Sequence, residues 1–260
     1  MIKTKTFEEK FKKLSQLKKY LIKNKESKLL AYLLFTTIIG HVLAWFIERI
    51  TNGTIWTYGN RLINHKDLFL LSLDGGYFEH FQYIILLWCA ALSMLITIRQ
   101  SKYTFNIFII YLFLFIDDFL SFHDRAYDFI TKINENYFYI STPLLRSKDI
   151  SEIIYWSIIL LLAILITLPS LNLGNIKVKS FIKTNFKFFI LLSFFGKFVD
   201  ILDSNIQKWL GVAGSETLTN KLLIYFFIFF EEIGEITVIS LIFIWLFNIA
   251  SNKTLISKKK

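Results

Sequence analysis

Apolar runs long enough to cross a bilayer constrain this chain more than any other feature. Several approach or exceed the 18 to 20 residues that a transmembrane helix needs. They fall at about 29–48, 79–98, 104–120, 153–169, 188–206 and 221–248 of 260 residues. Charged types make up 19% of the chain, where an average soluble protein carries about a quarter. With 54% apolar residues and 28 phenylalanines, it has too little polar surface to cover itself in water. The expectation is an all-α polytopic bundle of six spans over 29–250. Residues 1–28 precede it as an amphipathic helical segment, and 251–260 follow as a basic tail.

Loop charges set the expected orientation. Lysine or arginine is dense before the first span, in the turn near Arg99 and Lys102, around Lys177, Lys179, Lys183 and Lys187, and at Lys258, Lys259 and Lys260. In a six-span chain these four places share one side of the membrane, which the positive-inside rule makes cytoplasmic for both termini. The third span is expected to continue as helix past Arg125, and Pro169 to end the fourth. A basic loop is expected between the fourth and fifth. The net charge of +10 is thereby explained by topology and by anionic lipid headgroups, and no nucleic acid is expected. Within 6–25, Phe7, Phe11, Leu14, Leu17 and Leu21 share one face of a lysine-rich helix suited to a headgroup layer. The N-terminus lacks the features of a cleavable signal peptide. Cys89, the single cysteine, excludes an intrachain disulfide. The location implied is the inner membrane of a bacterium.

Acidic residues inside the spans carry the functional information, because a carboxylate facing lipid is costly and normally turns to the bundle interior. Glu79-His80 opens the second span. Asp117-Asp118 lies in the third, followed by Ser121, His123 and Asp124. The fifth, the most polar, holds Lys197, Asp200 and Asp203, and the sixth holds Glu231, Glu232 and Glu235. On an unbroken helix Asp117, Ser121 and Asp124 would share a face. At 1.5 Å per residue, Asp117, Asp200, Glu231 and Glu235 lie roughly 10 to 20 Å below the outer edge, and the acids are expected to converge on the outer half of the bundle.

Carboxylates gathered in a low-dielectric space must share protons, pair with cations or bind a metal. Lys197, three residues before Asp200, is an intrahelical partner. The di-iron bundle pattern needs Glu-x-x-His pairs, which are absent here. A looser site remains, with Glu79, His80, Asp117, Asp118, His123, Asp124, Glu231 and Glu235 as candidate ligands for iron, manganese or zinc. Around it lie Asp200, Asp203, Glu232, Lys197 and Ser121. Asp124 or His123 is the candidate general base if the site is catalytic, and a lipid or lipid-linked substrate suits its depth. The same residues would serve a proton- or cation-coupled transporter, or a scaffold held together by polar contacts. The residues alone leave these three open.

The stretch Phe115-Ile116-Asp117-Asp118-Phe119-Leu120-Ser121-Phe122-His123-Asp124-Arg125 resembles the Asp-Glu, then His-Glu-Arg, signature of a widespread group of uncharacterised multi-pass bacterial membrane proteins. Phe230-Glu231-Glu232-Ile233-Gly234-Glu235 is similar to the Glu-Glu-x-x-Glu segment of their last span. Asp118 and Asp124 stand where that pattern has Glu, keeping the charge but shortening its reach. The resemblance implies that the outer-half cluster is the site and brings no established activity with it.

Overall fold

In a computed structural model the chain is described over residues 25–51, 76–138, 147–209 and 218–252, all of it helix and short connections. The helices are α1 (Lys25–Thr51), α2 (Tyr77–Arg99), α3 (Phe105–Phe119), α4 (Phe122–Ile133), α5 (Ser147–Leu173), α6 (Ile176–Ser193), α7 (Asp200–Trp209) and α8 (Leu218–Asn252). A π-helical segment, Phe194–Val199, joins α6 to α7 without a break, and another, Asn134–Phe138, extends α4. Among the described residues four stretches are long and apolar enough to cross a membrane: Lys25–Phe46, Tyr77–Arg99, Ser147–Leu173 and Tyr225–Asn252. A fifth results if Lys102–Phe119 and Phe122–Tyr137, bent by 76°, count as one span. The protein is therefore a multi-pass helical membrane protein.

Helices α2 and α8 form the centre of the bundle. α2 packs against α3 and α8, and α8 also takes α1, α6 and the Phe194–Val199 segment. The periodicity of α1 shows why it docks there. Ser27, Ala31, Leu34, Ile38 and Trp45 are buried, whereas Tyr32, Leu33, Leu43 and Phe46 are exposed. One face thus meets α8 and the other meets lipid. Lipid supplies little force to join helices, so packing and polar contacts must specify the seam. Ser27 Oγ donates to Asn248 Oδ1 at 2.5 Å across it.

Three expectations are corrected. The third span does not continue past Arg125 as one helix, because α3 ends at Phe119 and α4 leaves at a sharp angle. Pro169 does not end the fourth span; α5 runs through it to Leu173. A proline removes one donor and crowds the preceding turn, a defect that neighbouring helices and hydroxyl side chains accommodate in membranes. The lysines at 177–187 lie on helix α6, not in a loop. Gly174-Asn175 makes the turn, and Asn175 Oδ1 caps the helix by accepting from Val178 N at 2.9 Å. Val178, Phe181, Ile182, Asn185 and Phe189 form its buried face, with Lys177, Lys183 and Lys187 exposed on the other. The expected amphipathic helix at 6–25, the tail from 253 onward and the Gly211–Gly214 turn lie outside the described residues.

Candidate functional site

The break between α3 and α4 builds the site. Leu120 N still bonds to Ile116 O at 3.0 Å, and Ser121 N reaches Asp118 O at 3.1 Å. Ser121 then adopts φ 48° and ψ 45°, the left-handed conformation that ends many helices. Glycine usually occupies that position; a side chain there costs about 1–2 kcal/mol. Among the described residues Ser121 is the one non-glycine with positive φ. The chain turns back, and His123 comes to lie beside Asp117 with Nδ1 3.2 Å from Oδ2. The face expected to be shared by Asp117, Ser121 and Asp124 does not exist, because the helix is broken inside it.

Asp117 is fully buried, yet both of its oxygens have partners. Tyr155 Oη donates to Oδ1 at 2.5 Å, and His123 Nδ1 contacts Oδ2. One ligand atom from each of Asp117, Asp118 and His123 lies within 4.8 Å of the others. Two donors bound to one cation at about 2.0–2.2 Å stand about 3–3.5 Å apart, so the 3.2 Å separation of Asp117 and His123 suits a shared metal as well as a hydrogen bond. The other imidazole nitrogen, Nε2, faces Asp124 Oδ2 at 3.8 Å. This buried Asp/Asp/His cluster has the donor types and spacing to chelate a metal.

Next to the cluster is a cavity of about 590 Å³. Asp118, His123, Lys197 and Glu79 line it, together with Glu231, Glu232 and Glu235 of α8. Of the acids expected to converge on one part of the bundle, Glu79, Asp118, Glu231, Glu232 and Glu235 line this cavity. Glu79 accepts a hydrogen bond from Tyr83. His80 is not in the lining; it is exposed, and its Nδ1–H donates to Gly76 O at 2.8 Å. Asp117, Ser121, Asp124 and Asp200 are also absent from the lining. The Asp203 side chain lies outside the described residues.

Two glycines bring α8 and the π segment together. A Cβ on Gly196 would overlap the Glu235 carboxylate, and one on Gly234 would overlap the Phe195 ring. π-Helical turns recur at functional sites, and this one carries Lys197 to the cavity. The Lys197 Nζ lies 5.8 Å from the ring centres of both Tyr127 and Trp156, within cation–π range. Trp156 Nε1 donates to Tyr127 Oη at 2.7 Å, which fixes the two rings.

Sequence reasoning missed Glu152, Tyr155 and Trp156 on α5. Glu152 is buried at 4% exposure, lines the cavity, and its Oε2 has no hydrogen-bond partner. The signal was present in the spacing: residues 152, 155 and 156 stand three and four apart at the start of an apolar run, hence share a face.

Residues 75–249 match the family described as Domain of unknown function (DUF8692). The chain belongs to this family. The match begins just before Glu79 and extends beyond Ile239, so the whole cavity lining falls inside the family's extent, whereas α1 falls outside it. No curated protein and no solved structure matches the chain.

Proposed function

We propose that this protein is a divalent-metal-dependent enzyme acting on a lipid or lipid-linked substrate in the inner membrane of a bacterium. The observation that carries this reading is the Asp117, Asp118 and His123 cluster at the edge of a cavity whose remaining wall is largely apolar. Asp117, Asp118 and His123 hold the cation, with Glu235 and Glu79 available from the opposite helices. A hard or borderline ion such as iron, manganese or zinc suits carboxylate and imidazole donors. Such an ion supplies Lewis acidity and an activated water.

In this reading Asp124 has a distinct part. Metal-bound histidines commonly give their second ring N–H to a carboxylate, which fixes the tautomer. His123 Nδ1 points towards Asp117, while Nε2 lies 3.8 Å from Asp124 Oδ2, beyond hydrogen-bond distance but close enough for a small side-chain rotation to join them. Asp124 is then a positioning residue rather than the general base that the sequence suggested. The six-span, N-in and C-in topology belongs to the same proposal, with the polar helix 176–209 as the remaining crossing. So does contact between the basic N-terminal segment and anionic headgroups.

Elemental analysis of detergent-purified protein tests the reading, with Asp117→Asn purified alongside. Near-stoichiometric iron, manganese or zinc in the wild type, lost in the variant, is the expected result. Metal-free protein that is folded and has never met a chelator would overturn it. The acids would then be assigned to proton- or cation-coupled transport, which flux measurements in liposomes would examine.

A further inference from the structure

We infer that the cavity takes a single-chain membrane lipid with a cationic, amine-bearing headgroup, admitted sideways between α5 and the π segment. This deepens the enzyme proposal by naming its substrate class, and it rests on taking the same cavity as the active site. Three observations carry it, concerning shape, access and charge.

The cavity is amphipathic along its length. Acids, His123 and Lys197 occupy one part of its lining, and Leu86, Ile110, Leu114, Ala163 and Ile239 belong to the rest. Its volume of about 590 Å³ falls within the usual range of small-molecule sites, about 300–1,000 Å³. A wholly polar substrate would leave the apolar wall unmatched, and a hydrocarbon would leave the carboxylates without a partner.

Access is from the side. Ile153 and Leu160 on α5 and Phe198 on the π segment line the cavity. They also keep 44%, 46% and 50% of their surface accessible, respectively, so this side of the cavity is not sealed by packing. On an apolar transmembrane helix such an opening gives onto acyl chains, so a lipid tail need not pass through water to enter.

Charge selects the headgroup. Carboxylates from Glu79 on α2 to Glu235 on α8 line the cavity, six in all with Asp118, Glu152, Glu231 and Glu232, against the bases His123 and Lys197. A bound divalent cation would offset two of those charges and protons shared among the buried carboxylates would offset others, which still leaves no positive surplus for an anion. Placing a phosphate or fatty-acid carboxylate there adds like charge in a desolvated site, an arrangement that discriminates strongly against anions. Glu152 supplies an observation independent of the cluster itself. Its Oε2 is buried in the lining without a hydrogen-bond partner, and leaving a buried carboxylate oxygen unpaired is costly. A headgroup ammonium would give it a donor.

Native mass spectrometry of the purified full chain tests this with hexadecylamine, palmitate and monopalmitoylglycerol, which share a chain length and differ in headgroup charge. The amine should bind about tenfold more tightly than palmitate and more tightly than the neutral lipid. Glu152→Gln should erase most of that preference. Ala163→Phe, which narrows the apolar part, should weaken all three probes, with gel filtration confirming that each variant is folded. Equal or tighter binding of palmitate or the neutral lipid would overturn the inference. So would amine binding indifferent to both substitutions. Elemental analysis of the same samples separates the two proposals. Metal without amine preference contradicts only the lipid assignment, and amine preference without metal contradicts only the metal centre.

Discussion

The two ends of the bundle are built by different rules. At the end holding Arg99 and Lys102, helices run unbroken and their buried residues follow helical spacing. Phe181 stacks on Trp245 at 5.1 Å, Gln100 Nε2 donates to Ile249 O at 2.7 Å, and Ile107, Ile182, Ile242 and Leu246 are completely buried. At the acidic end, α3 stops at a left-handed serine, a π segment interrupts the 176–209 helix, and a cavity takes the place of packed side chains. Departures from local rules concentrate around the acidic cavity, and such departures commonly cluster at functional sites. One end holds the bundle together, and the other positions polar groups that packing alone would not select.

If that division is real, substitutions at the two ends should separate metal binding from stability. The largest effect is expected for Asp117→Asn. Removing a buried carboxylate ligand should weaken metal binding by about a hundredfold or more, given that even outer hydrogen-bond partners of metal ligands contribute about 10–100-fold. The thermal stability of metal-free protein should change little, because Asn keeps the shape and can still accept from Tyr155. Metal titration of the depleted protein, beside a melting curve, checks both halves.

Ile242→Ala at the packed end should do the reverse. Such truncations cost about 2–5 kcal/mol in water-soluble cores. The lower figure, about 2 kcal/mol, is expected here because the lipid environment removes most of the transfer contribution. Denaturant titration in micelles should register the loss while metal content stays at the wild-type level. Loss of both together would mean that the ends are not independent.

How much of this was legible in the sequence follows the same division. Apolar runs were sufficient to identify the four helices long and apolar enough to cross a membrane among the described residues, since apolar length is a local property of the sequence. Helix rise and order along the chain give depth but not direction, so of the acids expected to converge Glu79, Glu231 and Glu235 line the cavity whereas Asp117 and Asp200 do not. The bend at Ser121 was not legible. Phe119-Leu120-Ser121-Phe122 contains neither glycine nor proline, and tertiary packing overrides its helical tendency. Consequently Asp117 and His123, which an unbroken helix would turn to different faces, come close in space. Glu152 was passed over because it opens an apolar helix, where an acid ordinarily faces the headgroup layer.

Two smaller substitutions sharpen the comparison. Gly196→Ala should lower stability by about 1 kcal/mol, at the mild end for an overpacked site because the Glu235 carboxylate can swing away. That swing removes Glu235 from its place on the cavity wall, so affinity for the amine probe should fall more visibly than the melting temperature. Ser121→Gly should raise stability by about 0.5 kcal/mol, since relief of the left-handed strain outweighs the extra freedom of glycine in the unfolded chain. Metal affinity should be retained, because the bend itself is preserved. A destabilised Ser121→Gly protein would show that the serine side chain, rather than the bend, holds His123 in place.

The central claim is that the bend delivers His123 to a cation shared with Asp117 and Asp118. Electron spin-echo measurements on protein loaded with one equivalent of manganese(II) address it directly, because they detect nitrogen coordinated to the ion. The account predicts the modulation of one directly bound imidazole, present in the wild type and absent in His123→Gln. Bound manganese without nitrogen coupling, or coupling that survives the substitution, would contradict it.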